Sequence, residues 1–475
     1  MHRVVIIGGG ISGLAAAYFL EKYAGDAGFA SDGGLSIQLL EARDRLGGVI
    51  LTERTDGFVL EGGPDSFLST KPAAVELCRA LGLADDLTPS NDRQRKTFIL
   101  QGGELKELPE GLQFVVPTKF WPIFRGNLFS LSGKIRLALA PFLWQPQAQG
   151  DPSVAEFVTQ RFGRQALERL AEPLLSAVYG ADVNSLSTRA ALPQFLALEE
   201  KHGSLWKGIR QARRAAAAKP KSSPGSIFIT LRGGVGQLID SLESNLVNTQ
   251  VTTGCNVERI SRSESGAGFR VCWQGGETEA SAVILATPAH GAEKLLGELA
   301  PQLSGKLGEI PYHSTVTVSL GFERATFGRD LNGFGFVVAR GERTRLIACT
   351  WVSTKFPARC PSGRVLLRCF LGGARDPSII EEDDQQIIRM VLRDLQEIMG
   401  IRSEPLFTRI HRWERSMAQY SVGHLERLQE ITGLLSKQPG LFLTGNAYKG
   451  IGIPDCIDAS STAASAAVQY LHSPR

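Results

Sequence analysis

Three glycines spaced Gly8-x-Gly10-x-x-Gly13 stand directly after the apolar run Val4-Val5-Ile6-Ile7 and before the Ala- and Leu-rich stretch Leu14 to Ala24. Each glycine has its own physical use. The first permits a tight turn, the second lets a diphosphate approach the backbone, and the third lets a helix pack close on a strand. Gly9 completes the turn, and a helix opening at Ile11 and Ser12 offers unpaired N–H groups and a partial positive charge to an anion. A second apolar run, Leu35 to Leu40, ends in Glu41-Ala42. A carboxylate there can accept hydrogen bonds from both ribose hydroxyls of an adenosine. Glu41 lies 28 residues beyond Gly13, against a usual spacing of roughly 20, and the glycine-rich loop 25–34 accounts for the excess. The combination implies a dinucleotide, and the acidic tip favours an unphosphorylated ribose, hence FAD or NAD over NADP. The competing account is a purely structural glycine turn.

Two further glycine pairs follow: Arg45-Leu46-Gly47-Gly48-Val49 just past Glu41, and Glu61-Gly62-Gly63-Pro64-Asp65-Ser66 a little later. They read as loop turns, or as cofactor contacts in which Arg45 sits near phosphate and Gly47-Gly48 lets the chain pass close to the ligand. A dehydrogenase that binds only a nicotinamide nucleotide has no need of such a second pair. A flavoprotein, whose cofactor extends through the domain, has.

The elements that must position these residues are legible in outline. Residues 3–7, 14–24 and 35–40 read as strand, helix and strand, a βαβ unit whose crossover implies a parallel sheet. Residues 72–87 and 151–200 read as helical, with starts at Pro72 and at Asp151-Pro152. Between them, 114–145 interleaves Phe114, Phe120, Trp121, Phe124, Phe129, Phe142 and Trp144 with Lys119, Arg125, Lys134 and Arg136. The basic, then Pro/Ser-rich stretch 210–226 reads as a solvated helix end and a connector. Alternating runs at 250–260, 268–274 and 281–287 read as strands, as do 313–322 and 334–371. Residues 381–399 read as a helix, 441–446 as a strand running into glycines, and Asp455 to Leu471 as a helix of Ala and Ser. No internal repeat is visible.

Composition bounds the function. A chain of 475 residues, 43% apolar, suggests two or three domains at roughly 150 residues each and excludes wholesale disorder. Net charge is only +4, so a nucleic-acid partner is not expected. Seven cysteines without a CxxC and seven histidines without HExxH exclude a disulfide framework, a zinc cluster and any metal site, and favour a reducing compartment. No signal peptide is expected at the start, and no window holds the ~18 consecutive apolar residues of a membrane span. The expected location is the cytoplasm, either free or peripheral on the cytoplasmic membrane.

GGGISGLAAA followed by LLEARDRLGG resembles the flavin-dependent amine oxidase superfamily. Within it, GFVLEGGPDSF (57–67), ERLAEPLLSAVYGADVNSLS (168–187), LFLTGNAYKGIGIPDCIDAS (441–460) and Trp413 with AQYSVGH (418–424) resemble the protoporphyrinogen oxidase family. The likeness spans nearly the whole chain. It implies an α/β fold with a Rossmann-like FAD-binding domain (1–70, 225–290 and 405–475), an inserted antiparallel-sheet substrate domain (71–87 and 291–404) and a helical, membrane-associating domain (88–210). It implies FAD with its diphosphate against Gly8 to Gly13 and its ribose on Glu41. Val257, taken as the end of a strand from Val251, matches the position whose backbone pairs with adenine. Gly63, Pro64, Asp65 and Ser66, with Asn446, Ile451, Gly452 and Ile453, match residues around the isoalloxazine and its linker, and the closing helix would aim its positive end at the flavin. A closely packed core helix explains the same small residues.

The implied reaction is oxidation of a porphyrinogen by dioxygen in haem synthesis, six electrons in all, with hydrogen peroxide as by-product. For the flat substrate, Phe370 matches a stacking position, Val337 an aliphatic wall and Gly180 a close-packed glycine; Phe370 reads equally as an ordinary core aromatic. The sequence departs where the family places an arginine before the strand FIL (98–100), since Thr97 stands there, and Arg95 is the substitute cation expected to meet a propionate. Asp65 is the one polar residue nominated as proton acceptor or orienter, with a turn role as the alternative. Coproporphyrinogen is the alternative substrate; another amine-oxidase-type enzyme and a non-catalytic flavin scaffold are further rivals. The stretch 114–145 reads either as a membrane-surface patch or as core, and a homodimer is admitted.

Overall fold

The structure, a computed structural model, describes residues 2–29, 34–109, 112–113, 116–117, 121–140, 150–218, 226–264, 266 and 268–473. In chain order, β1 (His2–Ile7), α1 (Ile11–Asp26) and β2 (Leu35–Leu40) form the amino-terminal βαβ unit. The hairpin β3 (Thr97–Gln101) and β4 (Glu104–Glu107) precedes α2 (Leu131–Leu139) and α3 (Glu172–Tyr179). Then come β5 (Thr249–Thr252), β6 (Val257–Arg262), β7 (Ala282–Leu285), β8 (Tyr312–Glu323), β9 (Gly335–Val338), β10 (Leu346–Trp351) and β11 (Arg364–Gly372). The chain ends through α4 (Asp384–Met399), β12 (Phe407–Ala418), β13 (Leu441–Leu443) and α5 (Ile453–His472).

Five parallel strands in the order β5-β2-β1-β7-β13 make one sheet. Val4 to Ile7 are apolar and buried on both faces, the pattern of a central parallel strand. On one side α1 packs against α5, and both helices bury alanines, Ala15 to Ala17 and Ala463, Ala464 and Ala467. Tyr23 and Ser461 share a hydrogen bond of 2.6 Å between them.

Seven strands in the order β12-β8-β11-β10-β9-β3-β4 make the second large sheet, antiparallel except where β9 runs beside β3. Because alternate residues face opposite sides, one face sends Val316, Val318, Leu371 and Leu100 against Ile387, Val391 and Leu395 of α4. The other face carries Phe370, Ala348, Val337 and Ile99 toward the helical segment and the first sheet.

Several expectations shift. The helix expected over 72–87 is Ala73–Ala80, because Gly82 at φ +77 turns the chain away. Val257 opens β6 rather than closing a strand from Val251: Gly254 (φ +65) bends the chain after Thr252. Residues 97–107, grouped from sequence with the helical segment 88–210, are the last two strands at one side of the seven-stranded sheet, and 407–418 from the third FAD-domain segment is the strand at its other edge. Backbone pairing dictates this, since β9 and β8 would otherwise present open ladders. Within 114–145, Phe129 is buried while Trp121 and Phe124 are exposed; Phe114, Lys119, Phe120, Phe142 and Trp144 lie outside the described residues. Among the described residues no helix is long and apolar enough to cross a membrane.

Candidate functional site

Gly8, Glu41, Thr253, Ala286 and Thr444 each directly follow a strand of the parallel sheet. They therefore lie together at its carboxyl edge, where open α/β sheets bind ligands, and strand order reverses between β1 and β7. The Glu41 carboxylate accepts the Gly9 N–H at 2.5 Å and the Arg43 N–H at 2.9 Å. Backbone bonds tie the neighbouring loop in: Gly47 N–H donates to Gly9 O at 2.8 Å and Cys255 N–H to Glu41 O at 2.8 Å. Val257, two residues further, opens β6.

The glycines differ in what surrounds them. A Cβ on Gly13 would lie 1.8 Å from Gly8 O, and one on Gly8 2.9 Å from Ala286 O. One on Gly9 would meet Leu46 at 2.6 Å. Beside Gly10 the nearest atom is Gly48 Cα at 3.8 Å. The protein closes round its neighbours and leaves room at Gly10, next to the first turn of α1 with Ile11 and Ser12, which fits a diphosphate. Arg45 braces the second glycine loop, donating to the carbonyls of Gly48, Leu46 and Ile50 at 2.7, 3.0 and 3.2 Å. Ala42 and Val49 are exposed on either side of it, and Val49 O lies 1.7 Å from where a Gly63 Cβ would be. The second glycine loop therefore abuts the third.

That third loop, Gly62–Ser66, is pinned to the seven-stranded sheet. Gly62 O accepts from Trp413 Nε1 at 2.8 Å, Thr317 Oγ1 at 2.9 Å and Arg368 at 2.9 Å. Asp65 pairs with Lys355 Nζ at 3.0 Å and accepts from Ser66 Oγ at 2.6 Å. Burial pushes the Asp65 carboxyl up, but Lys355, with Arg368 and Arg359, more than offsets this and holds it well below the usual carboxylate range. A carboxylate so engaged is a poor proton acceptor and a good orienter. Just downstream, Lys71 pairs with Asp455 in the first turn of α5 at 2.6 Å, and Asp455 accepts from Gly452 N–H at 3.2 Å. Burial pushes the Cys456 thiol up to about 12, with Ser12 of α1 hydrogen-bonded against it. The two ends of the chain meet here. Tyr420 hydroxyl holds the approach to α5, donating to Asn446 O at 2.8 Å and accepting from Gly450 N–H at 2.7 Å, just before Ile451, Gly452 and Ile453.

The substrate positions expected from sequence fall on one face. Phe370 is registered with Thr317 on one side and Ala348 on the other; Ala348 is registered with Val337, and Val337 with Ile99. Gly180 (φ +59) ends α3 and accepts from Ala374 N–H at 2.8 Å; a Cβ there would meet Gly373 Cα at 3.5 Å. Arg95 lies on an exposed turn before β3, while Thr97 is registered with Gly335 in β9.

Sequence reasoning missed the charges behind the third loop: Glu61, Lys355, Arg359 and Arg368, all buried. One signal was available, Arg368 in the middle of the apolar stretch VLLRCFLG (365–372). It also missed Arg340 and Arg375, which approach Glu172 to 3.8 Å at the end of β9.

The chain matches the family model described as flavin containing amine oxidoreductase over residues 11–468. It is 38% identical over 474 residues to "Coproporphyrinogen III oxidase" of Bacillus subtilis (strain 168), covering 99% of each chain. It is 29% identical to the chloroplastic protoporphyrinogen oxidase of Nicotiana tabacum, covering 98% of this chain and 85% of that one. A crystal structure called "Putative protoporphyrinogen oxidase" from Exiguobacterium sp. 255-15 superposes with a TM-score of 0.86 at 32% identity, covering 98% of this chain and 99% of the other. With a glycine turn opening α1, a carboxylate closing β2 and a match over nearly its full length, the chain belongs to the flavin-containing amine oxidoreductase family and is an FAD-dependent oxidoreductase.

Proposed function

We propose that the protein oxidises a porphyrinogen to the corresponding porphyrin in haem synthesis, with dioxygen as the final acceptor. Conversion of protoporphyrinogen IX to protoporphyrin IX removes six electrons and six protons, which reduce three dioxygen molecules to three hydrogen peroxides. When bound, FAD supplies the hydride acceptance and the reaction with dioxygen. The chain supplies binding, orientation and exclusion of water. Gly8 to Gly13 hold the diphosphate, Glu41 the ribose and the backbone of Val257 the adenine. Gly63 to Ser66, Trp413 and the approach to α5 at Asn446 and Ile451 to Ile453 border the flavin ring, and Asp65 orients this loop through its pair with Lys355.

The observation that carries the reading is the apolar row Phe370, Ala348, Val337 and Ile99, on the same sheet face whose Thr317, Arg368 and Trp413 grip Gly62. A flat macrocycle laid along that row reaches the ring that the loop borders, with Gly180 and Gly373 allowing close approach. Identity to the Bacillus relative exceeds that to the tobacco one, 38% against 29%, and this favours coproporphyrinogen as the second reading. Arg340 and Arg375, just past the carboxyl ends of β9 and β11, are cations suited to its additional carboxylates.

A seat on the cytoplasmic face of a membrane belongs to the same reading. Leu131, Ile135 and Leu139 recur every fourth residue on α2, all exposed, with Trp121 and Phe124 nearby, the composition of an interfacial surface. The deciding experiment is to purify the protein, record its flavin spectrum and follow porphyrin fluorescence with proto- and coproporphyrinogen side by side. A yellow protein that forms porphyrin and peroxide is expected. A protein that stays colourless with added FAD, or forms no porphyrin from either substrate, overturns the reading.

A further inference from the structure

Four buried charges lie behind the Gly62–Ser66 loop, with the half-buried Asp65 of the loop itself as a fifth, and they do not cancel. Glu61 pairs with Arg359 at 2.8 Å, and Asp65 with Lys355 at 3.0 Å. The third cation, Arg368 on β11, is buried and makes no direct ion pair among the described residues; it shares Asp65 and Glu61, which already pair with Lys355 and Arg359, at longer range. It donates to Gly62 O at 2.9 Å and to Gly63 O; its Nε has no hydrogen-bond partner among the described residues. The next charges outward, Glu53 with Arg409 and His411, pair among themselves. A buried cluster with one cation more than its carboxylates is costly, and preorganised charge of this kind stabilises charge that develops in a reaction.

Geometry shows where that charge is directed. With Gly62 C=O turned to Arg368, the planar trans peptide points the Gly63 N–H the opposite way, off the sheet. We infer that Arg368 is an electrostatic positioning residue for the flavin. It fixes the loop whose far side borders the isoalloxazine, and its uncancelled charge favours the reduced, more negative ring, raising the two-electron reduction potential. This rests on the reading that Gly63 to Ser66 border the flavin. The electrons and the hydride come from the porphyrinogen; Arg368 exchanges neither protons nor electrons.

The charge balance dictates a sign pattern that a merely structural role would not produce. Midpoint potentials and sulfite affinities are measured on flavin-loaded protein. Arg368→Met is expected to weaken sulfite binding about tenfold and lower the potential by about 30 mV, the tenfold equivalent for a two-electron couple. Asp65→Asn, which unmasks Lys355, is expected to move both the opposite way. Asp65→Asn with Lys355→Met, which removes a neutral pair, is expected to leave the potential near wild type, and Arg368→Lys to retain it. If Arg368→Met fails to fold, Asp65→Asn and the double variant carry the test. A potential unchanged in Arg368→Met, or shifted in the same direction by Asp65→Asn, overturns the inference. Wild-type protein that binds no FAD instead overturns the flavin reading on which it rests.

Discussion

The guanidinium carbon of Arg368 lies 4.8 Å from the centroid of the Phe370 ring, two residues along the same strand. One face of the aromatic ring is therefore covered by a cation that the carbonyls of Gly62 and Gly63 hold in place. On the proposed function, a flat substrate has only the opposite face to stack on, and the loop that holds Arg368 would also set the side from which the macrocycle enters.

Phe370→Ala should raise the KM for porphyrinogen about tenfold, a loss of about 1.4 kcal/mol, because ring stacking contributes about 0.5–1.5 kcal/mol beyond area burial. Flavin content should be unchanged. Steady-state porphyrin fluorescence reads KM directly, and an unaltered KM would remove Phe370 from the substrate surface.

Two glycines of the first turn should fail in different ways. Gly13→Ala drives a methyl to 1.8 Å from Gly8 O, so the protein should unfold at lower temperature or not fold. Gly10→Ala meets no atom beyond its chain neighbours nearer than 3.8 Å, so it should melt like the wild-type apoprotein yet lose FAD. Thermal melts and flavin absorbance after dialysis separate the two; FAD retention by Gly10→Ala would show that the open space holds nothing.

His424 is fully buried and stacked on Tyr420 with centroids 4.2 Å apart, and Tyr420 in turn holds the approach to α5. Burial, with Arg427 nearby, lowers its pKa to about 4. In the unfolded chain it titrates near ~6.5. Between those values the unfolded state binds a proton that the folded state refuses. Its contribution is full above ~6.5 and is lost as pH falls toward 4, by up to about 1.4 kcal/mol per pH unit. His424→Phe should keep the stack and flatten that part of the slope. Urea midpoints from pH 4.5 to 7.5 should show the wild type losing ground to the variant as acid is added; parallel curves would refute the assignment.

Ile135→Glu and Leu131→Glu should each cut binding to anionic lipid vesicles about tenfold or more, since burying one aliphatic side chain contributes about 1.5–3 kcal/mol. Co-sedimentation measures this, and undiminished binding by both variants would argue that α2 does not face lipid.

Much of the site was legible because its parts are local. The turn at Gly8 to Gly13 and the carboxylate at Glu41 are set by residues within a single βαβ unit. Phe370, Val337 and Gly180 came from resemblance, and register then placed the first two in one row with Ala348 between them. Val257 was misplaced by one element because a glycine turn at Gly254 leaves little trace in an alternating pattern. Arg95 was chosen for its nearness in sequence to Thr97, a criterion blind to register; Thr97 shares its row with Gly335, Thr350 and Arg368.

The sequence by itself determined the class of cofactor, because glycine freedom and an acidic strand end act over a few bonds and need no partner from elsewhere. Only the tertiary structure decided the charge balance around the loop at Gly62. Glu61, Asp65, Lys355, Arg359 and Arg368 come from stretches some three hundred positions apart, and an ion pair depends on distance through space, which strand pairing fixes and sequence spacing does not.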